Sequence, residues 1–261
     1  MKNNKHKILV LSDLNESTSK TLISGVSLAK IVEADINFFY VKKATEVVDK
    51  DNQLSAIRTI NENYRSIDKK INCIINPISD NYNVNINYTF TIGNVKNEIG
   101  RYIDENKPDI IVLGKRKSKR MNFIGAGITD YILKNYKGVI MISDAENSLE
   151  PNKELSLGIF NNVNPNSFIE SIIRSTQKTI RSFKIVESSR STKQEMLSLD
   201  KNRIEYVFVK GDNAIKNISN YLSKSNTNLL FVNREKKNSN SKQSNIKEVI
   251  KTLNCSIILT T

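Results

Sequence analysis

The segment "IGRYIDENKPDIIVLGKR", residues 99–116, decides the fold because the chain contains a second version of it. The second version, "ISNYLSKSNTNLLFVNRE", occupies residues 218–235 and aligns without a gap. The aligned segments share a helical apolar stripe and an apolar strand: Ile99 with Ile218, Tyr102 with Tyr221, and "IIVL" with "LLFV". Internal self-similarity of this kind indicates a duplicated structural unit.

The repeat extends toward both ends of each copy. The further matches are "ILVLSD" (8–13) with "LGIFNN" (157–162), and "GVIMIS" (138–143) with "SIILTT" (256–261). The join between the copies falls within "DAENSLEPNKE", residues 144–154. We therefore predict two tandem domains, residues 1–147 and 148–261. The length of the chain also fits two domains of roughly 100 to 200 residues each.

The first copy alternates apolar strands with amphipathic helices. Strands are predicted at "KILVLSD", "DINFFYVK", "VNINYTFT", "DIIVLG" and "GVIMIS". An apolar stripe from Leu22 to Val32 predicts a helix between the first two strands, capped by Asn15 or Ser17. Repeated β-α units predict a parallel sheet with helices on both faces.

A longer apolar stripe, from Leu54 to Ile71, predicts a long helix between the second and third strands. We expect this helix to stop before Pro77, because a proline removes a helix hydrogen bond and its ring clashes with the preceding turn. The equivalent connection in the second copy, residues 188–202, is too short for such a helix. The second copy is therefore predicted to have a shortened version of this helix, or none.

The charge of the chain leaves two explanations open. Its net charge is +13 and its isoelectric point is near 9.6, a balance that favours polyanionic partners. The chain is also rich in lysine, asparagine and isoleucine throughout, and genome composition alone produces such a bias. Neither basic loop, residues 115–120 or 234–242, contains the interleaved aromatic residues that would stack on single-stranded nucleic acid.

Several classes of protein do not fit the sequence. No apolar run approaches the ~20 residues of a membrane-spanning helix, and the N-terminus does not resemble a signal peptide. Cys73 and Cys255 lie far apart, so neither a disulfide framework nor a zinc site is indicated. His6, the only histidine, has no positioned acid or nucleophile. No catalytic motif is present. We expect a cytoplasmic, metal-free protein that is not an enzyme and has no membrane partner.

The first copy resembles the universal stress protein family. The resemblance lies in "ILVLSD", in "IGNVKNEIGRYIDENKPDIIVLGKR" (92–116) and in "GAGITDYILKNYKGVIMIS" (125–143), and it covers residues 155–261 more weakly. It implies an α/β fold of two tandem doubly wound parallel-sheet domains, adenine nucleotide alpha hydrolase-like, with strand order 3-2-1-4-5. In that family the domains pair through their last strands, so we expect an internal pseudo-dimer with a degenerate second domain.

The resemblance also implies a nucleotide site after the fourth strand. Nucleotide-binding members carry G-x-x-G-x9-G-[S/T] there; this chain has Gly114, but Lys117 replaces the second glycine. By spacing, Gly127 is the third glycine and Ile128 replaces the hydroxyl residue; if the helix "ITDYIL" sets the register, Ala126 replaces the glycine and Gly127 the hydroxyl residue. The hydroxyl is missing in both registers, although Thr129 lies close. Asp13 is expected to bind an adenine amine, with the carboxylate capping its own turn as the alternative. The candidate ligands for ATP or AMP are Asp13, Val41, Gly114, Lys115, Arg116, Lys117, Gly125, Gly127 and Thr129.

The second copy lacks this pattern. Asn162 replaces Asp13, Asn233 replaces Gly114, and the loop that follows contains no glycine. Three hypotheses follow. The chain is a stress-response module that binds an adenine nucleotide in domain 1 only, a ligand-free module with an unidentified protein partner, or, least favoured, a nucleic-acid-binding protein that uses the two basic loops. A homodimer is compatible with all three.

Overall fold

The computed structural model describes residues 5–44, 53–115, 124–160, 167–176, 179–186, 203–234 and 246–260. The strands are β1 (His6–Ser12), β2 (Ala34–Lys43), β3 (Ile86–Gly93), β4 (Ile110–Gly114), β5 (Val139–Ser143), β6 (Leu157–Phe160), β7 (Ile180–Val186), β8 (Arg203–Val209), β9 (Leu229–Asn233) and β10 (Ser256–Thr260). The helices are α1 (Thr18–Val32), α2 (Gln53–Tyr82), α3 (Val95–Asn106), α4 (Ile124–Asn135), α5 (Ser167–Ser175), α6 (Ala214–Lys224) and α7 (Ile246–Thr252).

All ten strands form one sheet in the order β3-β2-β1-β4-β5-β10-β9-β6-β7-β8. Neighbouring strands are parallel except at the centre, where β5 and β10 run antiparallel. The first five strands have the order 3-2-1-4-5, and the other five repeat that order in reverse around the β5–β10 pair. The predicted fold class is confirmed, and the two halves are joined edge to edge as an internal pseudo-dimer.

The sheet register tests the sequence alignment of the two copies. Ile8 is level with Ile110 in the first half, and Leu157 is level with Leu229 in the second, which agrees with the alignment of 8–13 with 157–162. At the last strands the alignment shifts by one residue: Gly114 is level with Ser143, whereas Asn233 is level with Thr260 and not with Thr261. The connection from Gly114 to Ser143 spans 29 positions and that from Asn233 to Thr260 spans 27, so the second copy is two residues shorter here than the ungapped alignment of its core requires.

Apolar side chains on the two faces of the sheet form two core clusters. Helices α1, α2 and α5 pack on one face, where Leu22, Ile71 and Ile172 are fully buried. Helices α3, α4, α6 and α7 pack on the other, over Leu9, Ile111, Leu230 and their neighbours. α1 contacts α5 across the centre of the molecule, so equivalent helices meet at the pseudo-two-fold axis. No helix in the described part of the chain has the length and apolar character to cross a bilayer.

Helix α2 extends through Pro77 to Tyr82, so the prediction that it stops before the proline is wrong. Ile75 and Ile78, on either side of Pro77, are 3% and 5% exposed, and the proline itself faces solvent. Burying an isoleucine stabilises a protein by about 1.5–3 kcal/mol. Two such side chains together offset the roughly 3 kcal/mol that an internal proline costs a helix. The equivalent connection in the second half, within residues 187–202, lies outside the described residues, so its shortened helix stays a prediction.

The connection between the halves packs against the rest of the protein. Leu149 is 1% exposed, and its amide donates to Ser24 Oγ at 3.0 Å. Ser24 Oγ also accepts a hydrogen bond from Ser143 Oγ at 2.9 Å. The segment that leaves β5 is therefore tied to α1 before the chain enters β6. The domain boundary predicted near residue 147 falls inside this packed segment.

Candidate functional site

The candidate site lies where the carboxyl ends of β1, β2 and β4 meet. Leu11 is level with Leu113 on β4, and Ser12 is level with Tyr40 on β2. Asp13 directly follows β1, so it lies at the edge of the sheet to which Val41, near the end of β2, and Gly114, at the end of β4, also belong. β1 and β4 flank the point at which the strand order reverses, and open α/β sheets bind ligands beyond the carboxyl ends of the strands at such a point.

The turn between β1 and α1 holds Asp13 at this edge. Ser12 Oγ shares a hydrogen bond with Thr18 Oγ1 at 2.8 Å and accepts one from the amide of Leu14 at 3.1 Å. Leu14 has a φ of 55°, a left-handed conformation that sharpens the turn. Ser17 is the N-cap of α1, but its hydroxyl donates to Asn15 Oδ1 at 2.7 Å instead of capping the helix. The carboxylate of Asp13 is exposed at the tip of this braced turn.

Gly114 has a packing role that the sequence did not reveal. A Cβ atom added to it would lie 2.6 Å from Thr21 Oγ1, closer than real Cβ contacts. The Thr21 hydroxyl is itself held by a 3.1 Å hydrogen bond to the carbonyl oxygen of Ser17. The first turn of α1 thus approaches the end of β4 so closely that only glycine fits. Glycine at position 114 is explained by this contact whether or not the site binds phosphate.

Lys115 contacts the second half of the chain. Its ammonium donates a hydrogen bond to the carbonyl oxygen of Leu253 and lies 3.9 Å from Asp144 Oδ2. The side chains of Lys115 and Asp144 are only 12% and 3% exposed. The amide of Lys115 also donates to Ser143 at 2.7 Å, which extends the β4–β5 pairing by one residue. Arg116 and Lys117, the other predicted cations of this loop, lie outside the described residues.

Arg234 makes the equivalent contact in the opposite direction. It follows β9 as Lys115 follows β4, and it donates to the carbonyl oxygen of Tyr136 at 2.9 Å and to that of Gly138. Leu253 and Tyr136 occupy equivalent positions before the last strand of each half. Burial lowers the pKa of the Arg234 guanidinium, and it raises the pKa of the Tyr136 phenol. We call Lys115 and Arg234, with the carbonyls they bind, the reciprocal clamp.

The reciprocal clamp changes how the two basic loops are interpreted. The first cation of each loop, Lys115 or Arg234, binds the opposite half of the chain, so neither presents its charge simply to solvent. Sequence reasoning listed Lys115 as a phosphate ligand and did not foresee the clamp. The one available signal was that both basic residues directly follow equivalent strands.

The other candidate residues lie in β2 and at the start of α4. Val41 is 8% exposed and packs in the core beneath α3 and α4, so only its backbone can reach a ligand. Gly125, Gly127 and Thr129 all lie in the first two turns of α4, and Gly127 and Thr129 are half-buried. The N-terminus of a helix carries partial positive charge and unpaired amides, which suit an anion.

Lys96 is a candidate ligand that the sequence analysis missed. It lies in the first turn of α3, is exposed, and packs over Gly127: a Cβ added to Gly127 would be 3.7 Å from its Cε and 3.8 Å from its Nζ. A cation thus lies beside the first turn of α4. Gly127 leaves room for the lysine stem to cross the helix here. The nucleotide-binding pattern begins at Gly114 and does not include Lys96, so only the packing of α3 against α4 reveals this residue as a candidate ligand.

Of the other titratable residues in the described part of the chain, His6 lies apart from the candidate site and Cys255 is buried. His6 lies at the amino end of β1, the opposite edge from Asp13, with Nδ1 3.9 Å from Asp109 Oδ2. Cys255 is buried beside Lys115 and Asp144, and burial raises the pKa of its thiol to about 12. Within the described ranges, no three His, Cys, Asp or Glu side chains are arranged to hold a metal ion. In the second half, Asn162 and the loop after Arg234 lie outside the described residues.

Comparison with known structures identifies the fold. The protein is similar to a universal stress protein from Archaeoglobus fulgidus DSM 4304, with a TM-score of 0.66 and 11% identity over 99% of each chain. A functionally unknown protein from Pseudomonas aeruginosa PAO1 matches 98% of this chain and 92% of its own, with a TM-score of 0.55 and 10% identity. A universal stress protein in complex with cAMP matches 54% of this chain and 97% of its own, with a TM-score of 0.41 and 13% identity.

These similarities cover nearly the full length of the chain in the first two cases. No family model matches the sequence, and no curated protein matches it significantly. The fold of the chain is therefore that of the universal stress proteins, in an arrangement in which both halves lie in one polypeptide.

Proposed function

We propose that this chain is a tandem universal stress protein: a binding module of the stress response, without enzymatic activity, that takes ATP or AMP in its first half. The observation that carries the proposal is the sheet register, which sets the carboxyl ends of β1, β2 and β4 at one edge of the sheet beside the strand-order switch point. Asp13 follows β1 directly, Val41 lies near the end of β2 and Gly114 ends β4. The second half retains the fold but has asparagine at the positions equivalent to Asp13 and Gly114.

The chemistry of the candidate site suits both the base and the phosphates of an adenine nucleotide. The exposed carboxylate of Asp13 can accept a hydrogen bond from the adenine amine, and the backbone of Val41 lies beside it. The phosphates would lie toward the first turn of α4, where Lys96 supplies a cation and the helix N-terminus supplies amides. Lys96 then takes part of the role that the sequence assigned to Lys115.

A second candidate, a ligand-free interaction module, is favoured by two other observations. The Thr21 hydroxyl lies against Gly114, and Lys115 is engaged by Leu253 and Asp144. The first contact fills the space beside Gly114 and the second joins the two halves of the chain, and neither needs a ligand. Nucleic-acid binding through the basic loops stays a prediction, although Lys115 and Arg234 contact the opposite half. We place the protein in the cytoplasm, because both cysteines are free thiols and such thiols suit a reducing compartment.

Thermal unfolding with ATP, AMP and adenosine tests the proposal. A ligand present at about 100 times its Kd stabilises the folded state by about 2.7 kcal/mol, which for a protein of this size raises Tm by roughly 5–10 °C. We expect Asp13→Ala to weaken all three ligands by about tenfold or more, because it removes the hydrogen bond to the base. Lys96→Gln should weaken ATP and leave adenosine unchanged, because it removes a phosphate contact only.

Asn162→Ala is the matched control, because it truncates the position equivalent to Asp13 in the half that we expect to bind nothing. It should leave the nucleotide-dependent shift unchanged. If millimolar ATP and AMP leave the Tm of the wild-type protein unaltered, the nucleotide proposal is wrong and the ligand-free module is supported. An equal loss of binding in Asp13→Ala and Asn162→Ala would show that the ligand does not bind at the candidate site.

A further inference from the structure

A cavity of about 400 Å³ lies between the turn that follows β1 and the middle of helix α2. Protein cavities that bind small molecules typically have volumes of about 300–1,000 Å³, so this one is large enough for a small organic molecule. The described residues that line it are Leu14, Ser66, Lys69, Lys70, Cys73 and Ile74. We call it the α2 cavity.

One face of α2 forms most of the wall of the α2 cavity. Helix residues three and four positions apart lie on the same side, and the lining residues of α2 follow that spacing from Ser66 to Ile74. At 1.5 Å per residue, this wall is about 12 Å long. Ile74 is half-buried and packs against the apolar core, so it brings an apolar surface to the cavity.

Leu14 lies across the cavity from α2, and the turn that carries it is braced without a ligand. Leu14 is half-buried and also packs against the apolar core. Its φ is 55°, and its amide donates to Ser12 Oγ at 3.1 Å, which in turn shares a hydrogen bond with Thr18 Oγ1 at 2.8 Å. The apolar part of the cavity is therefore preformed. A preformed site binds more tightly because less conformational freedom is lost on binding.

The charged residues of the α2 cavity are both positive. Lys69 and Lys70 are exposed, and neither forms an ion pair with a carboxylate in the described part of the chain. None of the described lining residues is acidic. Asp68, next to Lys69 in the sequence, lies on the opposite side of the helix, where its Oδ1 accepts a 2.7 Å hydrogen bond from the Tyr88 hydroxyl. The cavity thus offers two ammonium groups beside apolar side chains.

A smaller cavity, beside the connection between the halves, lacks this combination. Its volume is about 230 Å³, and Leu155 is the one apolar residue among the described residues that line it. Its cation, Lys153, is paired with Glu150 at 2.6 Å, and Glu146 also lines it. The charges of the smaller cavity therefore offset each other, whereas those of the α2 cavity do not.

We propose that the α2 cavity binds a small organic anion with an apolar body, of the class of medium-chain carboxylates. The apolar chain lies against Leu14 and Ile74, where it is removed from water. The carboxylate accepts charge-assisted hydrogen bonds from Lys69 and Lys70. This site is separate from the proposed nucleotide site, whose phosphates lie toward α4 on the other face of the sheet. The proposal therefore does not rest on nucleotide binding.

Alkylation of Cys73 tests the proposal, because this exposed thiol lines the α2 cavity and a ligand there should shield it. The rate of alkylation of the full chain by iodoacetamide, a small neutral reagent, is measured by mass spectrometry at increasing concentrations of octanoate. We expect octanoate to slow the alkylation of Cys73, with half-maximal protection at roughly 1–5 mM for a ligand of this size. Octanamide has the same shape without the charge, so it should need at least about five times the concentration.

Two variants separate the charge of the cavity from its shape. Lys69→Gln/Lys70→Gln should raise the octanoate concentration for half-maximal protection by at least about fivefold. The protecting concentration is compared, and not the alkylation rate, because nearby lysines also change the reactivity of a thiol. Lys216→Gln/Lys224→Gln is the matched control, because it removes two exposed lysines from α6, and it should behave as the wild type does. Ser66→Trp keeps both cavity lysines but fills the space, so protection should be lost while Tm stays that of the wild type.

Several results would overturn the proposal. One is a Cys73 alkylation rate in the wild-type protein that octanoate does not change. Equal protection by octanamide or by inorganic phosphate would show that the site does not select an anion with an apolar body. Protection that persists in Ser66→Trp would place the ligand elsewhere. Protection by phosphatidylglycerol vesicles but not by octanoate would indicate a membrane-facing surface instead of a small-molecule site.

Discussion

The two halves of the sheet share their core and differ in what surrounds it. The apolar strands β4 and β9 are buried in the same way, and each lies between equivalent neighbours. Around them the first half has the thirty-residue helix α2 over its outer strands. It also has Asp13 and Gly114 at the carboxyl edge, where the second half has two asparagines. The comparison teaches that strand order depends on buried apolar residues, whereas the edge residues are free to diverge after duplication.

The largest expected effect tests whether the halves unfold as one unit. Phe39 and Phe183 are equivalent, are 2% and 0% exposed, and stack on Tyr102 and Tyr206 at 4.2 Å and 5.5 Å. Phe39→Ala and Phe183→Ala should each lower the free energy of unfolding by about 3–5 kcal/mol. Because the sheet is continuous, each variant should shift one shared denaturant transition, measured by circular dichroism. Two separated transitions would mean that the halves unfold independently.

The second largest expected effect is the loss of stability when the reciprocal clamp is removed. Lys115→Met and Arg234→Met keep an apolar stem and remove the charged donors, so each should destabilise the protein by about 2–3 kcal/mol. Lys115→Met also leaves Asp144, which is 3% exposed, without its nearby cation. Urea unfolding of both single variants and of the double variant gives the two contributions. Lys20→Met, at an exposed position of α1, is the control and should change stability by less than about 0.5 kcal/mol.

A smaller expected effect on stability distinguishes the end of β4 from the equivalent end of β9. Gly114→Ala places a methyl group 2.6 Å from Thr21 Oγ1, so we expect a loss of about 1–3 kcal/mol from overpacking. Asn233→Ala, at the equivalent position, already has a Cβ and should cost less than about 1 kcal/mol. Removing the Thr21 hydroxyl in Gly114→Ala/Thr21→Ala should recover part of the loss. A double variant that is no more stable than the sum of the single variants would argue against this contact.

The smallest effect concerns the cysteine of each half. Burial raises the pKa of the Cys255 thiol from 9.0 to about 12. Above pH 9 the unfolded chain releases a proton that the folded state retains, so stability should fall with rising pH, by at most about 1.4 kcal/mol per pH unit. The stability that depends on a neutral Cys255 thiol is fully present below pH 9 and is lost by pH 12. Urea midpoints between pH 8 and pH 9.8 should fall less steeply in Cys255→Ala.

The two cysteines should also differ in their reactivity toward a thiol reagent. Cys73 is exposed on α2, whereas Cys255 is buried. A thiol reagent such as dithiobis-nitrobenzoate should therefore modify one thiol per chain in the folded protein and two in urea. Cys73→Ser should abolish the fast reaction. Rapid modification of Cys255 in the native state would show that the centre of the molecule opens readily.

Much of the fold could be predicted from the sequence because its signals are local or repeated. Apolar runs placed the first five strands within a few residues, the family resemblance implied the strand order, and the duplication extended that order to the second half. The prediction that α2 ends before Pro77 was wrong. It relied on a local rule for proline, but Ile75 and Ile78 bury enough apolar surface to keep the helix intact. The family resemblance assigned Asp13, Val41 and Gly114 to one site, and the register sets the strand ends next to these residues at one edge of the sheet, while their role as ligands stays a prediction. It also assigned a ligand role to Lys115, whose ammonium binds Leu253 and Asp144.

The sequence by itself determined the duplication, the β-α order and the residues at the strand ends, since each follows from the chain's own pattern of apolar and polar residues. Only the tertiary structure decided which of those residues meet. Lys115 and Leu253 are 138 positions apart, and Lys96 reaches Gly127 through the packing of α3 on α4. Such contacts depend on how elements distant in sequence pack, and no local pattern encodes that packing.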